Sequence, residues 1–279
     1  MASEKSLAIV LRVVEFSETS CVVTLFSRDF GKIGVLAKGA RRPKSPFEAA
    51  LDLLAVCRIV FLRKSSDGLD LLTEAKLERR FRSASRDLGR LYCGYYLLEL
   101  LRELTHQGDP HPDLFDLADH SLAAIDHGAD LAPIVLWFEF AALRILGHAP
   151  RLDDCAECGG ALPDLERIAF GQVAGGTLCQ RCREGQRQII SVSREALCVL
   201  RKFNETSLEH GPPGLPDAVR GESRGLMQHY IAHLLGHRPR MHSYVATAAI
   251  RTAIRTGAVQ VPGETSARGG GNSRPSSTP

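Results

Sequence analysis

The chain has 279 residues, enough for two domains of ordinary size, each with its own core. Its 44% apolar and 24% charged residues suit a globular protein, and no run approaches the roughly 20 apolar residues of a membrane-spanning helix. A net charge of +3 excludes little alone, so its distribution along the chain matters more.

The start, MASEKSLAIVLRVVEF, has no apolar region followed by a small-residue cleavage site, so no signal peptide is expected. The first ~75 residues read as strands. Partly alternating β-branched runs occur at 7–16, 20–26, 32–38, 53–63 and 69–75, separated by Ser17-Glu18-Thr19, Asp29-Phe30-Gly31 and Ser65-Ser66-Asp67-Gly68. Five short strands without a long helix predict a small closed barrel, either the five-stranded OB-fold or an SH3-like barrel. Helical spacing begins near residue 80. Leu88, Leu91, Tyr92, Tyr95, Leu98, Leu101 and Leu104 predict one helix, broken at Gly108-Asp109-Pro110. Leu114, Leu117, Ala118, Leu122 and Ile125 predict a second. A third, about 131–146, is apolar nearly all round and therefore central. Helices resume after Ser193, an N-cap candidate, and again around Leu226–Leu235. The low-complexity end has the composition of a disordered tail. The expected organisation is a barrel at 1–80, a helical domain at 81–150 and 191–258, an insertion at 151–190, and a tail at 259–279.

Between the helical parts lie Cys155-Ala-Glu-Cys158 and Cys179-Gln-Arg-Cys182. Each CxxC turn places two sulfurs on one side of a tight loop, so the pair can complete a tetrahedron around Zn²⁺. Ile168–Ala174 and Thr177-Leu178 flank Gly175-Gly176, a turn signal that predicts a hairpin returning the second pair to the first. Four thiolates leave no position for water, so the expected zinc is structural. Arg151, Arg167, Arg181, Arg183 and Arg187 are near enough in sequence to balance its charge. Four ordinary buried cysteines, or a redox pair, are the alternatives, though no βαβ pattern surrounds either turn. Cys21, Cys57, Cys93 and Cys198 sit among apolar neighbours and are expected to be buried thiols in a reducing cytoplasm.

Positive charge concentrates at Arg28–Lys44, where Arg28, Lys32, Lys38, Arg41, Arg42 and Lys44 face one acid, Asp29. A cationic loop at a barrel rim, kept irregular by Gly39, Pro43 and Pro46, suits a nucleic-acid backbone. Phe26 is expected in the core, while Phe30 and Phe47 could stack bases. A second cluster, Lys76, Arg79, Arg80, Arg82, Arg86 and Arg90, could extend the track. His229, His233 and His237 recur every four residues without an HExxH, so they read as edge or surface histidines, or as part of a cationic surface with Arg238, Arg240 and His242. No phosphate-binding GxxxxGK[ST], deaminase HxE motif or nucleophilic triad is visible, and no enzyme activity is expected.

The order of basic barrel, helical domain and inserted four-cysteine ribbon, with SETSCVVTLFSRDFGKIGVLAKGARRPKS and LLGHRPRMHSYV, resembles the RecO family of bacterial recombination mediators. The family often has Lys-Ser-Arg where this chain has Arg240-Met241-His242. The resemblance implies an OB-fold that binds single- and double-stranded DNA, annealing of complementary strands, and help in loading the RecA recombinase onto DNA coated by single-stranded DNA-binding protein (SSB). It implies RecR, and often RecF, as partners, a nucleoid-associated cytoplasmic location, and a pocket for the acidic SSB C-terminal tail. DNA contacts are expected at Arg28, Lys32, Lys38, Arg41, Arg42, Lys44, Arg79 and Arg80, and partner contacts at Arg238, Arg240 and Tyr244. A zinc-ribbon adaptor that never touches DNA is the alternative.

Overall fold

The computed structural model describes residues 3–43, 45, 47, 50–64 and 68–245. Lys44 and the tail expected at 259–279 lie outside the described residues. Strands β1 (Ser3–Glu15), β2 (Cys21–Ser27), β3 (Gly31–Ala37), β4 (Val56–Leu62) and β5 (Asp70–Arg79) close in the order β1-β2-β3-β5-β4. That is the OB-fold arrangement expected from the strand count. β1 is long enough to pair with β2 on one side and β4 on the other. A register shift between Val10 and Arg12 bends it. The parallel closure of β3 on β5 is short, Val35–Ala37 against Asp70–Leu72.

Strand alternation sorts the apolar side chains into two cores. Ala8, Val10, Val23, Leu25, Val35, Ile59 and Phe61 fill the barrel. Ile9, Leu11, Phe26 and Val56 point the other way and join the core of the helical domain. Phe26 is indeed a core residue, with its ring 6.3 Å from Phe115.

Three helices follow. α1 (Leu88–Leu104) is capped by Asp87, whose carboxylate accepts from the N–H groups of Gly89 and Arg90. α2 (Pro112–Asp126) begins on a proline, and α3 (Leu131–Ile145) is capped by Asp130. α3 is central, as its all-round apolar pattern predicts: Trp137, Phe138 and Phe140 are fully buried. The insertion carries β6 (Arg167–Gly171), β7 (Gly176–Leu178), a short α4 (Gln180–Arg183) and β8 (Ile189–Ser193), with sheet order β7-β6-β8. The hairpin is present, but Gly176 belongs to the strand and not the turn. A Cβ there would lie 2.3 Å from the Arg151 carbonyl, because the 151 segment bridges to it. Strand β8 was not expected from the sequence. α5 (Arg194–Glu205) starts at Ser193, whose hydroxyl accepts from the Ala196 N–H. α6 (Asp217–Leu235) ends at Gly236, φ 74°.

A buried polar network joins three helices. The Glu139 carboxylate pairs with Arg224 and accepts a 2.7 Å hydrogen bond from Tyr96 Oη. Burial pushes the Glu139 carboxyl upward, and the adjacent guanidinium opposes this. Next to the network, Glu99 accepts from the N–H groups of Arg240 and Met241 at 2.8 and 3.0 Å, pinning the segment after α6 onto α1.

The barrel and the helices meet in a polar joint. Lys32 Nζ donates to the carbonyls of Arg102 and Thr105 at 2.6 and 2.5 Å, at the C-terminus of α1. The Gly108 N–H donates to the Lys32 carbonyl at 2.9 Å. Arg28 makes two 2.9 Å bonds to Asp116, and Arg79 pairs with Asp119. Gly31 (φ 65°) lies so close to the 107–109 connection that a Cβ would be 2.0 Å from the Asp109 carbonyl oxygen.

Gly31 and Gly108 both have left-handed backbones, but a Cβ on Gly108 would meet nothing within 4 Å. Gly108→Ala should therefore lower stability by about 1–2 kcal/mol, the cost of that backbone. Gly31→Ala should lose more, about 3 kcal/mol or above, through the added clash. Parallel urea titrations of the two variants measure the difference.

Candidate metal centre and nucleic-acid interface

The four cysteines of the insertion converge. The Sγ atoms of Cys155, Cys158, Cys179 and Cys182 all lie within 4.8 Å of one another, and Cys158 Sγ is 3.8 Å from Cys179 Sγ. A tetrahedral ion with metal–sulfur distances of about 2.3 Å needs sulfurs about 3.8 Å apart, so the cage can hold a metal ion. The fold creates this closeness. The Ala156 N–H donates to the Thr177 carbonyl at 2.8 Å, tying the first turn to β7, and Cys179 is the residue that opens α4. Burial opposes ionisation of Cys155, but backbone N–H groups of Cys179, Cys158 and Glu157 aimed at its sulfur bring it down to about 6. The neighbouring sulfurs of Cys179 and Cys158 push Cys182 up to about 12. Four crowded sulfurs thus cannot all ionise without a cation among them.

Of the arginines expected to balance the thiolates, Arg181 lies beside Cys158 and Cys182, which raise its pKa. Arg151 pairs with Asp154, and Arg167 with Glu222 at 2.7 Å. Among the other cysteines, Cys21, Cys57 and Cys93 are buried as expected, and burial pushes Cys57 and Cys93 up to about 12. Cys198 is exposed, contrary to expectation, because it lies on the solvent side of α5.

The basic residues separate into two groups. Lys38, Arg41 and Arg42 are exposed at the barrel rim. The Arg41 N–H donates to the Thr19 carbonyl at 3.0 Å and its guanidinium meets Glu15 at 3.0 Å, so the loop is moored to the β1–β2 turn. Lys38 and Arg42 make no ion pair among the described residues. Arg28, Lys32 and Arg79, by contrast, are engaged in the joint. Lys32 is half-buried, and its pKa is lowered by burial, then by Arg102. Its ammonium, expected at a DNA phosphate, already serves two carbonyls of α1. Arg80 lies half-exposed, 3.7 Å from Asp52. Arg90 donates to the carbonyls of Ile125 and Ala129, so the second cluster does not form one open track.

The proposed stacking rings are also corrected. Phe47 is buried, and Phe30 packs edge-on against Phe61 at 5.3 Å with Arg63 over its face. The sequence reading missed Phe16, 65% exposed just beyond the end of β1. Its position next to the turn Ser17-Glu18-Thr19 was the available signal.

Around α6, His229, His233 and His237 line one face of a cleft of about 350 Å³ with Arg238, Gln172 and Gln188. A second cleft, about 270 Å³, lies among Gln228, His229, Arg238, Pro239, His242 and Ser243. Arg238 and Arg240 are exposed, and the Tyr244 ring packs tilted against Tyr92, centroids 4.9 Å apart. His242 does not join the cationic surface. It is buried against Tyr96, and burial, Arg224, Arg238 and His229 push it down to about 4, so it is neutral at pH 7.

The chain thus combines a closed five-stranded barrel, a helical domain and an inserted four-cysteine ribbon. The family model for recombination protein O N terminal matches residues 1–81, and that for recombination protein O C terminal matches 85–243. The DNA repair protein RecO of Rhodopirellula baltica is 41% identical over 263 residues, covering 86% of this chain and 97% of that protein. The DNA repair protein RecO of Myxococcus xanthus is 36% identical, covering 87% and 97%, and that of Bacillus pumilus is 32% identical, covering 81% and 87%. The chain belongs to the RecO family. Among the described residues, no helix is long and apolar enough to cross a membrane.

Glu222 of α6 fastens the ribbon. It accepts from the Ser193 N–H at 3.0 Å, from the Ser193 hydroxyl, and from Arg167. Burial alone would raise its pKa, but the Ser193 and Arg167 bonds outweigh burial and hold it below the ordinary glutamate value. A depressed carboxyl stabilises the fold above its unfolded pKa, about 4.3, and the contribution is lost as pH falls through the lower folded value. Glu222→Gln should therefore lower stability by about 1–2 kcal/mol at pH 7. The gap from wild type should close below about pH 4, as thermal melts between pH 3 and 7 will show.

Proposed function

We propose that this chain is a non-enzymatic recombination mediator that binds single- and double-stranded DNA and anneals complementary strands. With RecR, and RecF where present, it helps load RecA onto SSB-coated DNA. The observation that carries the reading is the cationic rim of Lys38, Arg41 and Arg42 on the OB-fold barrel of a RecO family member. The backbone of this loop is anchored while its charged ends reach solvent, an arrangement suited to phosphates and not to base identity. Annealing makes and breaks no covalent bond in the protein or the DNA, so charge neutralisation on a rigid support is sufficient chemistry.

Lys38, Arg41, Arg42 and Lys44 are the proposed phosphate contacts, with Arg80 at the barrel flank. Arg28 and Arg79 contribute only what their carboxylate partners leave unneutralised. The ion proposed for the four-sulfur cage is a single Zn²⁺, which would fix the ribbon and hold no water. The clefts beside Arg238, with Arg240 and Tyr244 nearby, combine positive charge with apolar surface and suit the acidic SSB tail. In this reading the units are the barrel at 1–80, the helical parts at 81–150 and 191–258, and the ribbon at 151–190. The proposed location is the cytoplasm, in association with the nucleoid.

Single-strand affinity should fall with salt at a log–log slope of about −0.7 per phosphate neutralised. Replacing Lys38, Arg41, Arg42 and Lys44 together by Ala should weaken binding at least about tenfold and flatten that slope. Fluorescence anisotropy at several salt concentrations measures both, and unchanged binding would place the DNA site elsewhere. Annealing of SSB-coated oligonucleotides with and without the protein tests the mediator activity.

Elemental analysis of protein purified without chelator should give about one zinc per chain. In Cys158→Ser the content should fall well below one and the ribbon should become protease-sensitive, while DNA binding by the barrel persists.

A further inference from the structure

We infer that Phe16 is a base-stacking residue for single-stranded nucleic acid on the outer face of the barrel, an assignment that rests on the DNA-binding reading above. The register places it. Glu15 pairs with Cys21 and Cys21 with Ala37, and the last two point into the barrel. Val14, Val22 and Leu36 form the neighbouring row and point outward. Beyond them, the Phe16 N–H donates to the Ser20 carbonyl at 3.0 Å, so Phe16 lies opposite Ser20. Lys38 follows at once after Ala37, the last residue of β3, and is exposed. By the two-residue period of strands, Phe16 and Ser20 continue the outer face of Val14, Val22 and Leu36.

Phe16 adds little to the core. It is the one exposed phenylalanine in the chain; the others are buried or half-buried. Beside it Val14 is 40% exposed, which extends the apolar surface along the strand. The turn that carries the ring is well ordered. The Ser17 N–H donates to the Ser20 carbonyl, the Ser20 N–H to the Ser17 hydroxyl, and the Arg41 N–H to the Thr19 carbonyl. A flat apolar ring therefore stands on a fixed hairpin at the edge of the cationic loop.

The surroundings favour a polyanion with exposed bases over an apolar protein partner. Arg12 on the outer face of β1, and Lys38 and Arg42 in the loop moored to this turn, are exposed and make no ion pair among the described residues. The acids nearby are Glu15, which Arg41 engages, and Glu18 at the tip. The core of a protein interface is depleted of charge, whereas an aromatic platform interleaved with cations is how single strands are held. Every base has a π-face, so the contact is sequence-tolerant. Duplex DNA, with its bases stacked inside, cannot use it. Phe16 would thus favour single strands over double strands on a rim that neutralises both.

The test compares binding of an oligothymidylate and an abasic oligomer of the same length. Phe16→Ala should weaken oligothymidylate binding by about five- to a hundredfold. Abasic affinity and the salt slope should not change. Phe16→Trp should restore the affinity, and its fluorescence should fall on binding the oligothymidylate but not the abasic oligomer. The chain's single native tryptophan, Trp137, is completely buried, so the signal reports position 16. If wild type binds the oligothymidylate and Phe16→Ala binds it equally well, the stacking role is overturned while the DNA-binding reading stands. If wild type binds neither oligomer in low salt, both are lost. Loss of a protein partner in Phe16→Ala with DNA affinity unchanged would also overturn it.

Discussion

The ammonium of Lys32, seated under the last carbonyls of α1, fixes how two units of different chemistry meet. A helix C-terminus leaves carbonyls without intrahelical partners and carries partial negative charge, and a cation there satisfies both. Here the cation comes from another domain. Lys32 lies on β3, and its own carbonyl takes the Gly108 N–H in return. The exchange fixes the end of α1 against the barrel and brings the 107–109 connection so close that only a glycine fits at position 31. Arg28–Asp116 and Arg79–Asp119 extend the joint along α2, with Phe26 and Phe115 packed beneath. Nearly half-exposed pairs such as Arg28–Asp116 contribute little stability. They fix orientation, and the buried apolar contact supplies most of the attraction.

This joint explains why the cations of one basic stretch have different surroundings. Arg28, Lys32, Lys38, Arg41 and Arg42 are consecutive cations in one basic stretch, yet they do different work. β3 runs from the helical domain toward the opposite rim, so cations before it and at its start meet α1 and α2, whereas those after its end meet solvent. The distinction is one of position along a strand that spans the barrel. A charge total cannot register it.

Much else was legible. Alternation marked all five barrel strands, and the all-round apolar pattern of residues 131–146 identified the central helix. The doubled CxxC placed four sulfurs together because the hairpin between them is encoded by small residues and β-branched neighbours. What escaped was tertiary. β8 pairs with a strand some twenty residues away and shows only Ile189, Ile190 and Val192 as a signal. His242 looks basic in sequence but is stacked and neutral, because Tyr96 and Arg224 surround it. The Glu139–Arg224 pair gives no sign in either helix, since a lone charge on an apolar face reveals a partner only when the helices are packed.

The ribbon and the rim bear on function in separate ways. The sulfur cage lies in the helical domain and is tied to α6 through Glu222 and to β7 through Ala156. A metal there would order the segment lining the His229–Arg238 cleft, since Gln172 and Gln188 of that cleft belong to the ribbon. The rim cations depend on none of this. Their loop hangs from the β1–β2 turn through Thr19 and Ser20, inside the barrel's own hydrogen-bond network. A loop whose backbone is already fixed has little backbone freedom left to lose on meeting a phosphate chain, and its exposed charges impose no particular spacing on that chain. Such a rim is tolerant of what it meets. A binding cleft for one defined peptide needs the opposite, a cavity whose walls are held in place by structure on both sides.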